Sequence, residues 1–395
     1  MTHARSATAG QPPQLHPSVS PRELLFAHAH PSAVALLSTP GLQTTMNARS
    51  AIYLACRELR SAERDEILLP GFHCPSVVMP AIAAGLKPVF YRVRPDLSVD
   101  VEDVLSKTGP RTAALLIIHF FGHATDLTPF KALVQSGPAI IEDWSHSFLR
   151  PDTLGLTGSP EHYRVYSFWK LLPTLIGGGL VRPGGRQPAR PLQRARLARS
   201  DIARVKALAE TAIMSKGSRW MQRGYSLLEG ARLKMKPQRP LRTAPEQDLR
   251  ERGEDYYPFD IGQAELDMPG LIRRLTAASD LRAIADRRTA NQAIYAERLR
   301  GHPHATPAYS QAPEAVPWVF PVLVEERDRV DRRWKARGVA LHTFGIYLHS
   351  LLFQQADAAT VADARYLANH LLCLSVHQDL HPRQIETACE ILGTP

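Results

Sequence analysis

The chain has few cysteines and no long apolar runs. Its 395 residues include four cysteines, at Cys56, Cys74, Cys373 and Cys389. Their spacing matches no zinc site, and such sparse use predicts reduced thiols in a cytoplasmic protein. No apolar run approaches the length of a membrane span, and the N-terminus lacks the charged-then-apolar pattern of a secretion signal. Neither a metal site nor a membrane span is therefore expected.

Acidic residues are scarce between positions 182 and 242, although the whole chain carries a net charge of +10. Asp201, Glu210 and Glu229 are the acids among many lysines and arginines there. One interpretation is a nucleic-acid or membrane surface. The other is a solvated helical segment whose charge suits a small anionic substrate. Aromatic residues are limited to Trp220 and Tyr225, and no nucleic-acid motif accompanies the charge. The second interpretation is therefore favoured.

The remaining composition is that of an ordinary globular protein, with 44% hydrophobic and 22% charged residues. Residues Met1 to Ser20 are rich in Pro, Ser, Thr and His and are predicted to form a disordered lead-in. The chain is long enough for a large and a smaller domain. We place the large domain at 21–250, including a basic helical insert at 182–250. A helical connector and a small C-terminal domain follow at 251–395.

Short apolar strands alternate with helical segments in the first half of the chain. The predicted strands are Glu66–Leu69, Pro88–Val93, Ala113–His119 and Ala139–Glu142. The predicted helices are Ala51–Leu59, capped by Asn47, then Ser76–Ala84, Val101–Ser106 and Leu127–Val134. This alternation indicates an α/β fold with a mostly parallel sheet wound by helices. In such sheets ligands lie beyond the carboxyl ends of the strands, where Asp143, His73 and Asn47 fall.

The second half predicts a smaller α/β unit. A long helical stretch covers Gly262–Arg300, and Trp318–Val324 reads as a strand. A helix at Arg327–Arg337, an apolar segment at His370–Ser375 and a closing helix at Pro382–Leu392 follow. These elements would pack as a small C-terminal α/β domain against the large one.

An acid and a lysine suggest the chemistry. Asp143 follows the apolar run Pro138–Ile141, and Lys170 precedes the triple glycine Gly177–Gly179. A carboxylate at a strand end and a lysine on a nearby strand-loop are what a pyridoxal phosphate (PLP) enzyme requires. The lysine forms a Schiff base with the cofactor aldehyde, and the carboxylate keeps the pyridine nitrogen protonated.

Five segments in order carry a resemblance to the DegT/StrS-type sugar aminotransferases, which have the aspartate aminotransferase-like fold (fold type I). They are Asn47–Ala51, Asp65–Pro70, His119–His123, Glu142–His146 and Leu374–Gln378. The lysine segment departs from the family pattern. Lys170 lies two residues after Phe168 instead of four, yet it lies seven residues before Gly177, as the family pattern has it. A two-residue deletion before the lysine accounts for both.

The resemblance assigns a role to each candidate residue. Lys170 would hold PLP and Asp143 would bind its pyridine nitrogen. His146 would touch the ring oxygen. The cofactor phosphate would lie against Ser167 and the helix start, where an anion is favoured; that start comprises Asn47, Ala48 and Arg49. Either His73 or Cys74 would cover the ring face. Where relatives carry an Asn-Ser/Tyr-Arg segment that reaches the partner subunit, this chain has Asp260–Gln263 and Asp267–Met268.

The function implied by the resemblance is a homodimeric PLP-dependent aminotransferase. Its substrate would be a nucleotide-linked keto-sugar, its amino donor glutamate, and its pathway polysaccharide or glycoside biosynthesis. Two alternatives stay open. One is a PLP-dependent sugar dehydratase or deoxygenase, although relatives with dehydration chemistry typically replace the lysine by histidine. The other is a non-catalytic binding or scaffold protein that keeps the fold.

Overall fold

A computed structural model describes residues 15–135, 137–195, 199–218, 220–225, 250, 252–255 and 257–393. Most of the predicted lead-in and a large part of the predicted basic insert therefore lie outside the described residues. The boundary placed at residue 250 stays a prediction, since only Arg250 is described between 226 and 251. Within the described part of the chain, no helix is both long and apolar enough to cross a membrane.

The larger sheet has seven strands. They are β1 (Leu42–Thr45), β2 (Glu66–Pro70), β3 (Lys87–Tyr91), β4 (Thr112–Ile118), β5 (Ala139–Asp143), β6 (Tyr163–Ser167) and β7 (Gly178–Val181). Their spatial order is β1-β7-β6-β5-β4-β2-β3. Strands β2 to β6 pair in parallel, whereas β7 runs antiparallel to both β6 and β1. The predicted α/β class with a mostly parallel sheet is confirmed.

Helices precede or connect these strands. They are Pro21–Phe26, Pro31–Leu37, Ala48–Leu59, Pro75–Ala83, Val101–Lys107 and Lys131–Gln135. Asn47 caps the third of them by accepting a hydrogen bond from the Ser50 N–H, as its position before the apolar run predicted. Strand β4 is buried along its whole length, as expected for a parallel strand covered on both faces. The carboxyl ends of the parallel strands therefore lie at one edge of the sheet.

A second, antiparallel sheet is formed by the C-terminal part of the chain. Before it, the short strands β8 (Gln193–Arg194) and β9 (Leu266–Asp267) pair in parallel. The second sheet contains β10 (Thr306–Pro307), β11 (Val319–Leu323), β12 (Leu341–His342) and β13 (Leu371–Ser375), in the order β10-β11-β13-β12. Its helices are Arg327–Ala336, Ser350–Gln355, Ala358–His370 and Pro382–Leu392.

The long helical stretch predicted at Gly262–Arg300 is wrong as a single element. The structure has three helices there, Ile261–Ala264, Gly270–Ala277 and Leu281–Arg298. Pro269 and Asp280 stand at the N-cap positions of the second and third, and the Asp280 carboxylate accepts from the Ala283 N–H. Each of these residues marks the start of a new helix, and apolar periodicity alone does not show where these starts lie.

The helix Leu281–Arg298 joins the two sheets. Near its start Leu281 and Ile284 belong to the core of the larger sheet. Near its end Tyr295 belongs to the core of the second sheet, together with Phe320 and Trp334. Residues at the middle of this helix thus face the junction of the two units, where Lys170 also lies.

The last residues of the predicted lead-in are packed instead of disordered. Ser18 is 2% exposed, and its N–H donates to Asp379 Oδ2 at 2.7 Å. Lys216 Nζ donates to the Ser18 carbonyl at 2.6 Å and pairs with the same Asp379 at 2.8 Å. Lys216 ends the helix Arg199–Lys216, which belongs to the predicted basic insert. These partners lie far away in the sequence, so composition could not predict them.

Candidate active site

The candidate residues collect at the carboxyl edge of the larger sheet. Asp143 ends β5 and Ser167 ends β6, and Ser167 is paired across the strands with Gly178 of β7. Gly178 in turn faces Thr45, the last residue of β1. A 3-10 turn, Phe168–Lys170, then carries the lysine away from the end of β6. The sheet register therefore brings residues from four strands to one edge.

Asp143 is a buried carboxylate with few polar contacts to offset the loss of hydration. It is 3% exposed, and its Oδ1 accepts a hydrogen bond from the Ser145 N–H at 2.8 Å. Among the residues that the structure describes, Asp143 forms no ion pair. Burial raises the pKa of Asp143, against the opposing effects of Ser145 and the Lys170 charge. A carboxylate buried in this way fits a cationic partner such as a protonated ring nitrogen.

The neighbouring acid, Glu142, faces the other side of the strand. It is bonded to His119 Nε2 at 3.1 Å and to His162 Nδ1 at 2.8 Å, and the Trp144 Nε1–H donates to it at 2.9 Å. Burial alone would raise the pKa of Glu142, but these bonds hold it well below its usual range. Because adjacent strand residues point to opposite faces, this network fixes the orientation of Asp143.

Lys170 is half-buried and lies at the junction of the two units. Its Nζ stands 4.3 Å from the ring centroid of Trp318, a residue next to β11. Burial lowers the pKa of Lys170 to about 8, although the Asp143 charge acts in the opposite direction. An amine with this pKa is partly unprotonated near neutral pH. It can therefore act as a nucleophile or as a proton acceptor.

His146 is held as a neutral ring. It is 3% exposed, and its Nδ1 accepts a hydrogen bond from the Phe121 N–H at 3.2 Å. Burial, followed by the Lys170 charge, lowers the pKa of His146 well below its ordinary value. Since Nδ1 accepts, the proton is assigned to Nε2, which can donate to a ligand. Phe121 stacks on the imidazole at 5.0 Å, and Phe344 packs edge-on at 4.5 Å.

The helix Ala48–Leu59 begins beside this edge. Its first N–H groups belong to Ala48 and Arg49, and Asn47 already satisfies the N–H of Ser50. Such a helix start favours an anion, since its N–H groups lack intrahelical acceptors. The Arg49 Nη1 donates to the Pro258 carbonyl at 3.1 Å, so its side chain is tied to a segment more than 200 residues away.

The structure places His73 and Cys74 in different environments, a difference that the sequence alone does not show. His73 is fully buried; its Nδ1–H donates to the Pro70 carbonyl at 2.9 Å and its Nε2 accepts from the His349 N–H at 3.2 Å. Its ring stacks on Phe90. Both nitrogens of His73 are therefore used within the fold. Cys74 is half-buried and lies close enough to Lys170 to act on the pKa of that amine.

Two segments stand where relatives carry the Asn-Ser/Tyr-Arg segment, Asp260–Gln263 and Asp267–Met268, and both make contacts within this chain. Asp267 accepts hydrogen bonds from the Thr44 hydroxyl and from the Arg273 guanidinium. Met268 is fully buried, and Asp260 caps the helix Ile261–Ala264. From the sequence, these residues could be recognised only as a replacement for the Asn-Ser/Tyr-Arg segment, and their partners within the chain could not be predicted.

Two residues near the lysine were not singled out from the sequence. Trp318 was assigned only to a strand, and Arg288 only to a helical stretch. In the structure Trp318 lies under the Lys170 amine, and Arg288 donates to the Lys170 carbonyl at 3.1 Å. Both lie more than 100 positions from Lys170, so no local pattern could connect them with it.

Comparisons with known proteins point to a family of aminotransferases. A model of the DegT/DnrJ/EryC1/StrS aminotransferase family matches residues 36–183. A GDP-perosamine synthase from Vibrio cholerae is 32% identical over 102 residues, which are 25% of this chain and 28% of that protein. The dTDP-3-amino-3,4,6-trideoxy-alpha-D-glucose transaminase of Micromonospora megalomicea subsp. nigra is 27% identical over 154 residues, which are 38% and 41% of the two chains. The chain thus matches less than half the length of these relatives.

Solved structures resemble nearly the whole chain. AtS13 from Actinomadura melliaura superposes with a TM-score of 0.65 and 20% identity, covering 98% of this chain and 100% of that one. The sugar aminotransferase CalS13 from Micromonospora echinospora gives a TM-score of 0.62 and 18% identity, covering 96% and 99%. At such low sequence identities, the structural similarity establishes the fold and nothing further. The family model's match to residues 36–183 confirms the resemblance to the DegT/DnrJ/EryC1/StrS aminotransferases that was predicted from the sequence.

Proposed function

We propose that this protein is a PLP-dependent aminotransferase that transfers an amino group from glutamate to a nucleotide-linked keto-sugar. The observation that carries the proposal is the pair Asp143 and Lys170 at one sheet edge, inside the segment that matches the family. A buried carboxylate without an ion-pair partner among the described residues and a half-buried lysine with a lowered pKa fit this cofactor better than they fit a packing role. The names of the two curated relatives, both of which refer to nucleotide sugars, support the substrate class.

The roles follow from the side-chain chemistry. When bound, PLP supplies a carbonyl carbon that takes an amine and a ring that stabilises negative charge. Lys170 would hold it and, once released, Nζ would accept and return the proton that moves during transfer. Asp143 would hold the ring nitrogen protonated. His146 would donate from Nε2 to the ring oxygen.

The anionic end of the cofactor would lie against the helix start. Ala48 and Arg49 would offer backbone N–H groups, with Asn47 as the cap and Ser167 as a nearby hydroxyl. Cys74 would lie at the ring face, since the His73 ring is fully buried and stacked on Phe90, whereas Cys74 lies close to Lys170. We extend the proposal to a homodimer in the cytoplasm. The free state of all four cysteines supports a reducing compartment.

Visible absorption spectroscopy tests the cofactor and the lysine together. The protein with added PLP should gain a visible band, and borohydride should then fix a cofactor-sized mass increase on the Lys170 peptide. The Lys170→Ala variant should show no such adduct, while Lys131→Ala, which changes a lysine on the helix Lys131–Gln135, should behave like the wild type. A wild-type protein without a band at saturating PLP would contradict the proposal and favour a non-catalytic role.

Substrate experiments separate the enzymatic alternatives. Glutamate should bleach the band, and a nucleotide keto-sugar should then restore it while gaining an amine detectable by mass spectrometry. A product that loses a hydroxyl without gaining nitrogen would indicate deoxygenation instead. Light scattering during gel filtration would measure the oligomeric state, and a monomer at micromolar concentration would overturn the dimer.

A further inference from the structure

Arg288 is a fully buried arginine without an acidic partner at contact distance. It lies on the helix Leu281–Arg298 and is 0% exposed. Within the described part of the chain it forms no ion pair with a carboxylate, and burial lowers the pKa of Arg288 to about 9. A buried cation is costly unless hydrogen bonds satisfy it fully. Arg288 must therefore be stabilised by its hydrogen bonds.

Every N–H group of the guanidinium has an acceptor, and none of these acceptors is charged. Nε donates to Gln378 Oε1 at 2.8 Å. Nη1 donates to the carbonyls of Pro317 and Trp318, each at 3.1 Å. Nη2 donates to the carbonyls of Lys170 and Leu171, each at 3.1 Å. These bonds use the full donor capacity of an arginine.

The acceptors come from three segments that are remote in sequence. Lys170 and Leu171 lie in the turn after β6 of the larger sheet. Pro317 and Trp318 lead into β11 of the second sheet, and Gln378 follows β13. Gln378 closes the arrangement, because its Nε2 donates to the same Leu171 carbonyl at 3.1 Å. One side chain thus fixes the lysine turn against the second sheet.

The same guanidinium holds both members of the pair formed by Lys170 and Trp318. It binds their backbone carbonyls, while the Lys170 amine rests over the Trp318 ring at 4.3 Å. Lysine in place of Arg288 would have three donors on one point and could not span the four carbonyls. The planar fork of arginine is therefore specifically suited to this position.

We propose that Arg288 is a positioning residue that keeps the Lys170 amine in its place over Trp318. The consequence for catalysis rests on the proposed function, whereas the positioning itself is a property of the chain alone. Loss of the fork would free the Lys170 turn from the second sheet, and the amine would gain access to water. The titratable groups that act on this amine are Asp143, Cys74 and Cys373, and its charge acts on His146.

The first test needs no cofactor. Competitive acylation with acetic anhydride, followed by peptide mass spectrometry, measures the pH at which the Lys170 amine becomes reactive. In the wild type the midpoint should lie well below the ordinary lysine value of 10.5, near the value of about 8 given by its burial. In Arg288→Lys the midpoint should rise toward 10.5. Arg182→Lys, which alters a buried arginine bonded to Glu58 and Gln43 at the far end of β7, should keep the wild-type midpoint.

The second test uses the loaded enzyme. Arg288→Lys should lower kcat by about 100-fold, as expected for a reacting group displaced by about 1 Å, while KM for glutamate changes little. If Arg288→Lys does not fold, Gln378→Met removes one bond to Nε and one to the Leu171 carbonyl, and should shift the midpoint in the same direction by less. A wild-type midpoint in both variants, or an equal shift in Arg182→Lys, would overturn the proposal. Failure of the wild type to bind PLP would overturn the proposed function, and the acylation profile would still decide the role of Arg288.

Discussion

Gly178 lies directly against Asn47, the cap of the helix at the candidate phosphate site. A β-carbon on Gly178 would stand 2.5 Å from the Asn47 carbonyl carbon, 2.6 Å from the Ala48 nitrogen and 2.8 Å from the Tyr166 carbonyl oxygen. All three are backbone atoms, which cannot rotate away. Only glycine lets β7 approach the helix start this closely.

Gly178→Ala should therefore push the helix start away from the sheet. We expect a loss of about 1–3 kcal/mol in the free energy of unfolding, as for other overpacked sites. We also expect weaker PLP binding, since the phosphate donors move. Urea unfolding and PLP titration check these effects. Gly109→Ala is the matched control, because a β-carbon there meets nothing within 4 Å; equal effects in the two variants would contradict the assignment.

The pKa of Lys170 predicts how stability depends on pH. The folded-state pKa is about 8, below the ordinary value of 10.5 that applies to the unfolded chain. Between these values the unfolded state holds a proton that the folded state has lost, so stability rises with pH. In the cofactor-free protein, Lys170→Met should exceed the wild type by about 2–3 kcal/mol at pH 7. Denaturant unfolding should show this gap closing toward pH 10.5; a gap that does not change with pH would refute the lowered pKa.

Substitution of Asp143 should raise the stability of the cofactor-free protein but lower the turnover of the loaded enzyme. The pKa of Asp143 is raised by burial, so its stabilising contribution is present below the unfolded value of 3.8 and is lost as pH rises through the folded value. At pH 7 and without cofactor, Asp143→Asn should therefore be more stable than the wild type. With cofactor, its turnover should fall by about 100-fold or more, because the ring nitrogen loses its charged partner. Asp126→Asn, at an exposed carboxylate, should change neither property.

Trp318 should favour the charged form of the Lys170 amine. The ring faces the amine at 4.3 Å, and such a contact contributes about 1 kcal/mol. Trp318→Leu keeps apolar bulk but removes the aromatic face, so the pKa of Lys170 should fall further below its ordinary value. Acylation of Lys170 as a function of pH measures this shift. A midpoint that rises instead would mean that water has entered, and the contact would then have no electrostatic role.

His73 and Cys74 should respond differently to substitution. His73→Leu leaves the Pro70 carbonyl and the His349 N–H without partners in a fully buried place. It should cost about 2–3 kcal/mol of stability. Cys74→Ala should leave stability nearly unchanged and alter the absorption band of bound PLP, since the thiol lies near Lys170. The reverse pattern would place His73 at the ring face.

Much of the large unit could be predicted because its signals are local. The apolar runs of β2, β4 and β5 mark buried parallel strands, and Asn47 stands where a helix cap is needed. The helix Pro382–Leu392 was predicted with the same bounds that the structure shows. Strand β1 was not predicted, since four residues of mixed polarity carry little periodic signal.

The amino-acid sequence by itself determined the α/β class, the resemblance to the family and the acid and lysine of the candidate site, because each depends on residue type and order along a short segment. Only the tertiary structure decided which of His73 and Cys74 lies near the lysine, that Trp318 lies under its amine and that Arg288 holds its turn. The physical reason is that burial, hydrogen-bond partners and pKa values depend on atoms brought together across long sequence separations. A residue such as Arg288 looks like any helical arginine until the carbonyls that surround it are known.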